Sequence, residues 1–132
     1  MPRSPSKPRN RPVDRLRLNA WRYGHRGEFW AALFLRLKLY RIVARRVKTP
    51  MGEIDLVAER GRVTVFVEVK ARAFSYQEGE AMEAVNTRRI VRASEHYLAR
   101  NPRLTGRDLR FDVIFVAPFA WPRHVINAFD AN

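Results

Sequence analysis

The sequence predicts an α/β domain, a mixed central sheet of about five strands flanked by two helices. Two periodicities point to it. Stretches with apolar residues at three- and four-residue spacing are interleaved with stretches that alternate every second residue or run apolar throughout. Turn signals separate them, at Thr49-Pro50-Met51-Gly52, at Glu59-Arg60-Gly61 and between Pro118 and Pro122.

Tyr23–Tyr40 reads as the first helix. Phe29, Trp30, Leu33, Phe34, Leu37 and Tyr40 give it a wide apolar face. Glu28 lies in its first turn, where a carboxylate suits the positive end of the helix dipole. Arg41–Lys48 reads as a first strand, followed by Glu53–Ala58. In the next, Arg62–Lys70, Val63, Val65, Val67 and Val69 share one face, and Thr64, Phe66, Glu68 and Lys70 the other. If these two strands fold back antiparallel, Asp55 lies across from Glu68. Ala71–Glu78 is a loop. Gly79–Arg100 reads as the second helix, with Met82, Val85, Ile90, Val91, Ala93, Tyr97 and Leu98 at its apolar positions, and Asn101-Pro102 ends it. Leu109–Ala117, LRFDVIFVA, has the hydrophobicity of a covered strand. Arg123–Asn127 is a candidate last strand.

Composition narrows the function. The chain has 132 residues, enough for one domain with a real core. Its net charge of +13 calls for a polyanionic partner, of which nucleic acid is the simplest and an anionic membrane surface a rival. No apolar run is long enough to span a bilayer, and no signal peptide is visible. The absence of cysteine excludes disulfides, zinc–thiolate sites and thiol nucleophiles. A cytoplasmic location is expected. Residues 1–19, rich in Pro, Arg, Ser and Lys, read as a disordered basic tail, and residues 20–132 as a single domain. The tail could add phosphate contacts or simply solubilise the chain. His25, His96 and His124 show no metal spacing and read as ordinary surface residues.

The chemistry gathers in Gly52–Arg72. Two carboxylates about 4 Å apart repel by roughly 4 kcal/mol at an effective dielectric near 20. Lys70 offers one compensating charge. A divalent cation would offer two, and hard oxygen ligands suit Mg²⁺ or Mn²⁺. Asp55, Glu68 and Lys70 with such an ion form a set suited to phosphodiester hydrolysis. The same spacing fits a surface hairpin with a cross-strand salt bridge, and both readings stand at this point.

These residues also resemble a known pattern. Asp55 and Glu68-Val69-Lys70, with twelve residues between the two acids, resemble the PD-(D/E)xK nuclease superfamily. The segments Gly24–Glu28, Gly52–Leu56, Val65–Arg72 and Arg110–Val113 resemble the YraN-type family of uncharacterised bacterial proteins, similar in fold to archaeal Holliday-junction resolvases. The resemblance covers roughly residues 20–130 and implies a restriction-endonuclease-like fold. It implies that Asp55 and Glu68 bind metal, that Glu28 completes the acidic site, and that the Val69 carbonyl is a further ligand. Lys70 matches the catalytic lysine. Many relatives carry Lys or Gln on the helix after the E-x-K strand, where this chain has Asn86. Asp112 matches a family residue and reads as structural, paired with an arginine such as Arg110 or one on the second helix.

The leading expectation is therefore a metal-dependent, resolvase-like endonuclease acting on nucleic acid, DNA first. Asp55, Glu68 and Lys70 form its catalytic set, with Glu28 and Val69 assisting at the metal. Arg72, Asn86, Arg88, Arg89 and Arg92 are the candidate nucleic-acid contacts. Dimerisation follows by analogy with junction resolvases. The alternatives are a non-catalytic nucleic-acid-binding module of the same fold and a basic interaction protein of ribosomes or membranes.

Overall fold

A computed structural model describes residues 26–71 and 85–131. The basic tail, His25, Arg72, most of the loop Ala71–Glu78 and the first part of the second predicted helix lie outside them. The elements run α1 (Arg26–Leu37), β1 (Arg41–Thr49), β2 (Gly52–Arg60), β3 (Val63–Ala71), α2 (Thr87–Ala99), a 3₁₀ turn (Pro102–Leu104), β4 (Asp108–Val116) and β5 (Arg123–Phe129). The five strands form one sheet in the order β1-β2-β3-β4-β5. All neighbours are antiparallel except β3 and β4, which run parallel with α2 in the crossover between them. The architecture is the mixed α/β sheet of a restriction-endonuclease-like domain.

The alternation of β3 explains why both faces are covered. Val65, Val67 and Val69 pack with Ala31, Ala32 and Leu35 of α1. Phe66 points the other way and packs with Ile90, Val91 and Ala93 of α2. A sheet buried on two sides needs strands apolar on both faces, and β2, β3 and β4 supply them.

Helix α1 corrects the sequence reading in two respects. It stops at Leu37 because Leu39 takes a left-handed φ of 69°. Tyr40 N–H then donates to the Leu35 carbonyl and Leu39 N–H to that of Arg36, which is a Schellman closure. The face that packs on the sheet is Gly27, Glu28, Ala31, Ala32 and Leu35. The bulkier Phe29, Trp30 and Leu37 are exposed. Small side chains let the helix lie close to the sheet, so the larger apolar face is left outside.

Asp112, His124 and Glu59 are each partnered inside the fold. Asp112, wholly buried, accepts a bidentate pair from Arg110 at 2.8 and 2.9 Å, a bond from His124 Nε2 at 2.6 Å and one from Asn127 N–H at 2.9 Å. The pairing with Arg110 is the structural role read from the sequence. Desolvation would raise the Asp112 carboxyl, but His124, Arg110 and the Asn127 amide hold it below the usual carboxylate range. His124 is not a surface histidine: its side chain is 3% exposed. Lys38 Nζ lies 2.8 Å from its Nδ1. An ammonium can only donate, so Nδ1 accepts and Nε2 carries the hydrogen that Asp112 receives. Glu59, read as part of a turn, is instead a buried strand residue held by Arg41 at 2.6 Å and Arg103 at 3.1 Å. The reversal falls on Gly61 and Arg62, between the paired residues Arg60 and Val63, and Gly61 takes a φ of 59° there.

Candidate metal centre

The β2–β3 ladder pairs Arg60 with Val63 and runs as far as Leu56 with Val67. One step further, Asp55 would face Glu68, as the sequence predicts, but the ladder ends there. Asp55 Oδ2 instead accepts the Val69 N–H at 2.8 Å. A side chain thus takes over a backbone donor at the point where the strands part.

Strand β2 changes faces at the same place. Ile54 belongs to the α2-side cluster and Leu56 to the α1-side cluster, although residues two apart in a regular strand share a face. The opposing position on β1 is Arg46, which falls between the Arg45–Leu56 and Val47–Ile54 pairs and has a φ of 46°. A non-glycine residue in this region costs about 1–3 kcal/mol and is held there by its surroundings. The paired irregularity turns Asp55 away from the ordinary pleat.

Glu28, Glu53 and Asp55 meet as a result. Each offers an oxygen, and the three oxygens lie within 4.8 Å of one another. Glu28 and Asp55 are buried and Glu53 is half-buried. Arg46 Nε stands 3.7 Å from Glu28 Oε2 and offsets part of the charge. Three carboxylates this close could hold a metal ion, and all-oxygen donors suit a hard divalent cation.

Glu53 was not among the residues the sequence singled out. Its one signal is its place two residues before Asp55 on the same strand, where regular alternation would put both acids on one face.

Glu68 lies outside this group of three. By alternation it sits on the α2 side with Phe66, and Arg89 Nη2 of α2 approaches it to 3.4 Å. Lys70 follows on the same face, half-buried. Gly52 explains how Arg89 gets there. A Cβ on Gly52 would come within 2.8 Å of Arg89 Cδ, and the φ of 137° disfavours any other residue. The segment Gly52-Glu53-Ile54-Asp55 thus supplies a passage for an arginine, a carboxylate of the acidic cluster, a core residue and a second carboxylate of the cluster.

The other predicted contacts are on α2. Asn86 is its N-cap, and its Oδ1 accepts the Arg89 N–H at 3.1 Å. Arg88 and Arg92, one turn apart, are exposed. No helix among the described residues is long and apolar enough to cross a membrane.

Fold and site together define an α/β domain with an acidic cluster at one end of a mixed sheet. The chain belongs to the uncharacterised protein family UPF0102, whose model matches residues 27–116. It is 52% identical over 111 residues to a UPF0102 protein of Parvibaculum lavamentivorans, covering 84% of each chain. A UPF0102 protein of Chelativorans is 52% identical over 119 residues, 88% of this chain and 94% of its own. One from Rhodopseudomonas palustris is 46% identical over 130 residues, 98% of this chain and 96% of its own.

Proposed function

We propose that this protein is a metal-dependent endonuclease that hydrolyses phosphodiester bonds in nucleic acid. The observation that carries the reading is the convergence of Glu28, Glu53 and Asp55 at the point where β2 and β3 part. A fold needs no such concentration of carboxylates, two of them buried, and a pure phosphate binder gains nothing from them. Glu28, Glu53 and Asp55 would hold Mg²⁺ or Mn²⁺, with the Val69 carbonyl at its edge, and Glu68, which meets Arg89 on the α2 side, would bear on the ion only from the neighbouring face. The ion would supply Lewis acidity toward a phosphoryl oxygen and toward water.

The chain's own groups do the rest. Asp55 is fixed by the Val69 N–H, so its carboxylate is oriented before substrate arrives. Lys70 orients the attacking water and stabilises charge developing on the phosphate. Arg89, with Arg88 and Arg92 exposed beside it, receives the phosphates flanking the scissile one. Asn86, at the N-terminus of α2, extends that surface, and Arg72, outside the described residues, is proposed as a further phosphate contact. The net charge of +13 draws the polyanion in.

The test is cleavage of labelled branched, duplex and single-stranded DNA and RNA with Mg²⁺, Mn²⁺ or EDTA. The reading requires cutting of at least one substrate with metal and none with EDTA. Binding without cutting of any substrate in either metal would favour the non-catalytic module.

A further inference from the structure

Helix α1 has a second apolar face that the sheet does not use. Trp30, Leu33, Phe34 and Leu37 line a cavity of about 490 Å³ whose other wall is the β4–β5 loop, with Phe119 and Trp121. Trp121 is 79% exposed, Trp30 49% exposed, and Phe119 is fully exposed. Phe119 also takes a φ of 60°, in the left-handed region that a bulky residue rarely enters. Pro118 and Pro122 bracket it and stiffen the loop. The fold gains nothing from an exposed aromatic side chain on a strained backbone, so the arrangement calls for a ligand.

The loop leaves the same end of the sheet as the acidic cluster. β3 and β4 are parallel, with Lys70 beside Phe115 and Ala71 beside Val116. Residues 117–122 therefore leave the sheet at the end that carries Glu68 and Lys70. Trp30 follows Glu28 by two residues, about 3 Å along the helix axis, though on another side of α1.

We propose that this aromatic cavity binds unpaired bases of a nucleic-acid strand, stacking them on Trp121, Phe119 and Trp30 while neighbouring phosphates lie toward the acidic cluster. The proposal rests on the nuclease reading and adds a substrate class, strands with unpaired nucleotides next to the cut. Charge selects this occupant. A second copy would bring another +13 to the interface, whereas a polyanion is attracted. Exposed Arg36 and Arg123 adjoin the apolar residues, and Lys38 Nζ lies 5.3 Å from the Phe34 ring centroid. Aromatic faces interleaved with cations are the usual platform for single strands, and a concave pocket fits a flat ring better than it fits a lipid surface.

The experiment measures affinity in EDTA, where cleavage plays no part. Wild type, the double variant Phe119→Ala/Trp121→Ala and Asp55→Asn are titrated against three labelled probes of roughly 20 residues, longer than one site. The probes are oligodeoxythymidine, an abasic strand with the same phosphates, and a duplex. Stacking is indifferent to the sugar, so a DNA probe suffices. The double variant is expected to lose about tenfold or more on oligodeoxythymidine and less than about twofold on duplex. The abasic strand is expected to bind wild type as weakly as oligodeoxythymidine binds the variant. Asp55→Asn is expected to keep the wild-type preference, so a failure of the metal site and a failure of this proposal give different results. Equal binding of oligodeoxythymidine by wild type and the double variant overturns the proposal. So does a wild type that binds the abasic strand as tightly. If the substitutions instead change only the sedimentation of the protein, the cavity joins two copies. If they change only binding to phosphatidylglycerol vesicles, it meets a membrane.

Discussion

Asp55 accepts the backbone N–H of Val69 at 2.8 Å, in the position where the β2–β3 ladder would otherwise have continued. The bond fixes the carboxylate without consuming it. A carboxylate has room for about four acceptor interactions, so Asp55 can serve the backbone and a cation together. Strand geometry, rather than a loop, thus sets the position of the central acid.

Asp55→Asn separates these two roles. The Asn carbonyl can still accept the Val69 N–H, so the fold is expected to survive, with the urea midpoint little changed. The charge is gone, and metal-dependent cleavage is expected to fall by at least about 100-fold. Wild-type rates in this variant, measured with either metal, would remove Asp55 from the site.

Much of this arrangement is legible in the sequence, for specific reasons. The period-two valines of β3 sort its residues onto two faces because side chains alternate along a strand, and both faces are buried. The antiparallel β2–β3 hairpin is legible from the turn residues around Gly61, but the facing of Asp55 and Glu68 is not, because the ladder ends at Leu56 and Val67. Helix α1 misleads because its aromatic residues outweigh its alanines on any hydrophobic scale, yet the alanines allow close packing on the sheet. His124 is unreadable in the sequence because its partners, Lys38 and Asp112, come from distant parts of the chain. Arg46 is hidden for a related reason. Its left-handed conformation answers a face change on the neighbouring strand, and nothing in the local residue types announces it.

Gly52→Ala tests the passage for Arg89. The added Cβ meets Arg89 side-chain carbons at 2.8 and 2.9 Å on a backbone with a φ of 137°. A loss of about 1–3 kcal/mol in stability is expected, from backbone strain and a displaced side chain. Urea denaturation reads it, and an unchanged midpoint would mean that the turn relaxes freely.

Acid stability should report Asp112. Its carboxyl is held below the usual range in the folded chain and returns to an ordinary value near 4 when the chain unfolds. The unfolded state therefore binds the proton first as pH falls. The stabilisation from Asp112 is complete above about pH 5 and is lost as pH falls through the depressed folded value. The stability difference between wild type and Asp112→Asn, followed by urea titration from neutral to acid pH, is expected to be flat above about pH 5 and to shrink below about pH 4. A difference that grows on acidification would contradict the arrangement of His124 and Arg110 around it.

The proposed chemistry requires Glu28, Glu53 and Asp55 to hold one divalent cation, and Mn²⁺ binding followed by electron paramagnetic resonance tests this directly. Wild type is expected to take up about one ion per chain saturably, and Glu53→Gln to bind it at least about tenfold more weakly while remaining folded. A wild type with no saturable site, or a Glu53→Gln variant with unchanged affinity, would contradict the assignment of the metal to this cluster.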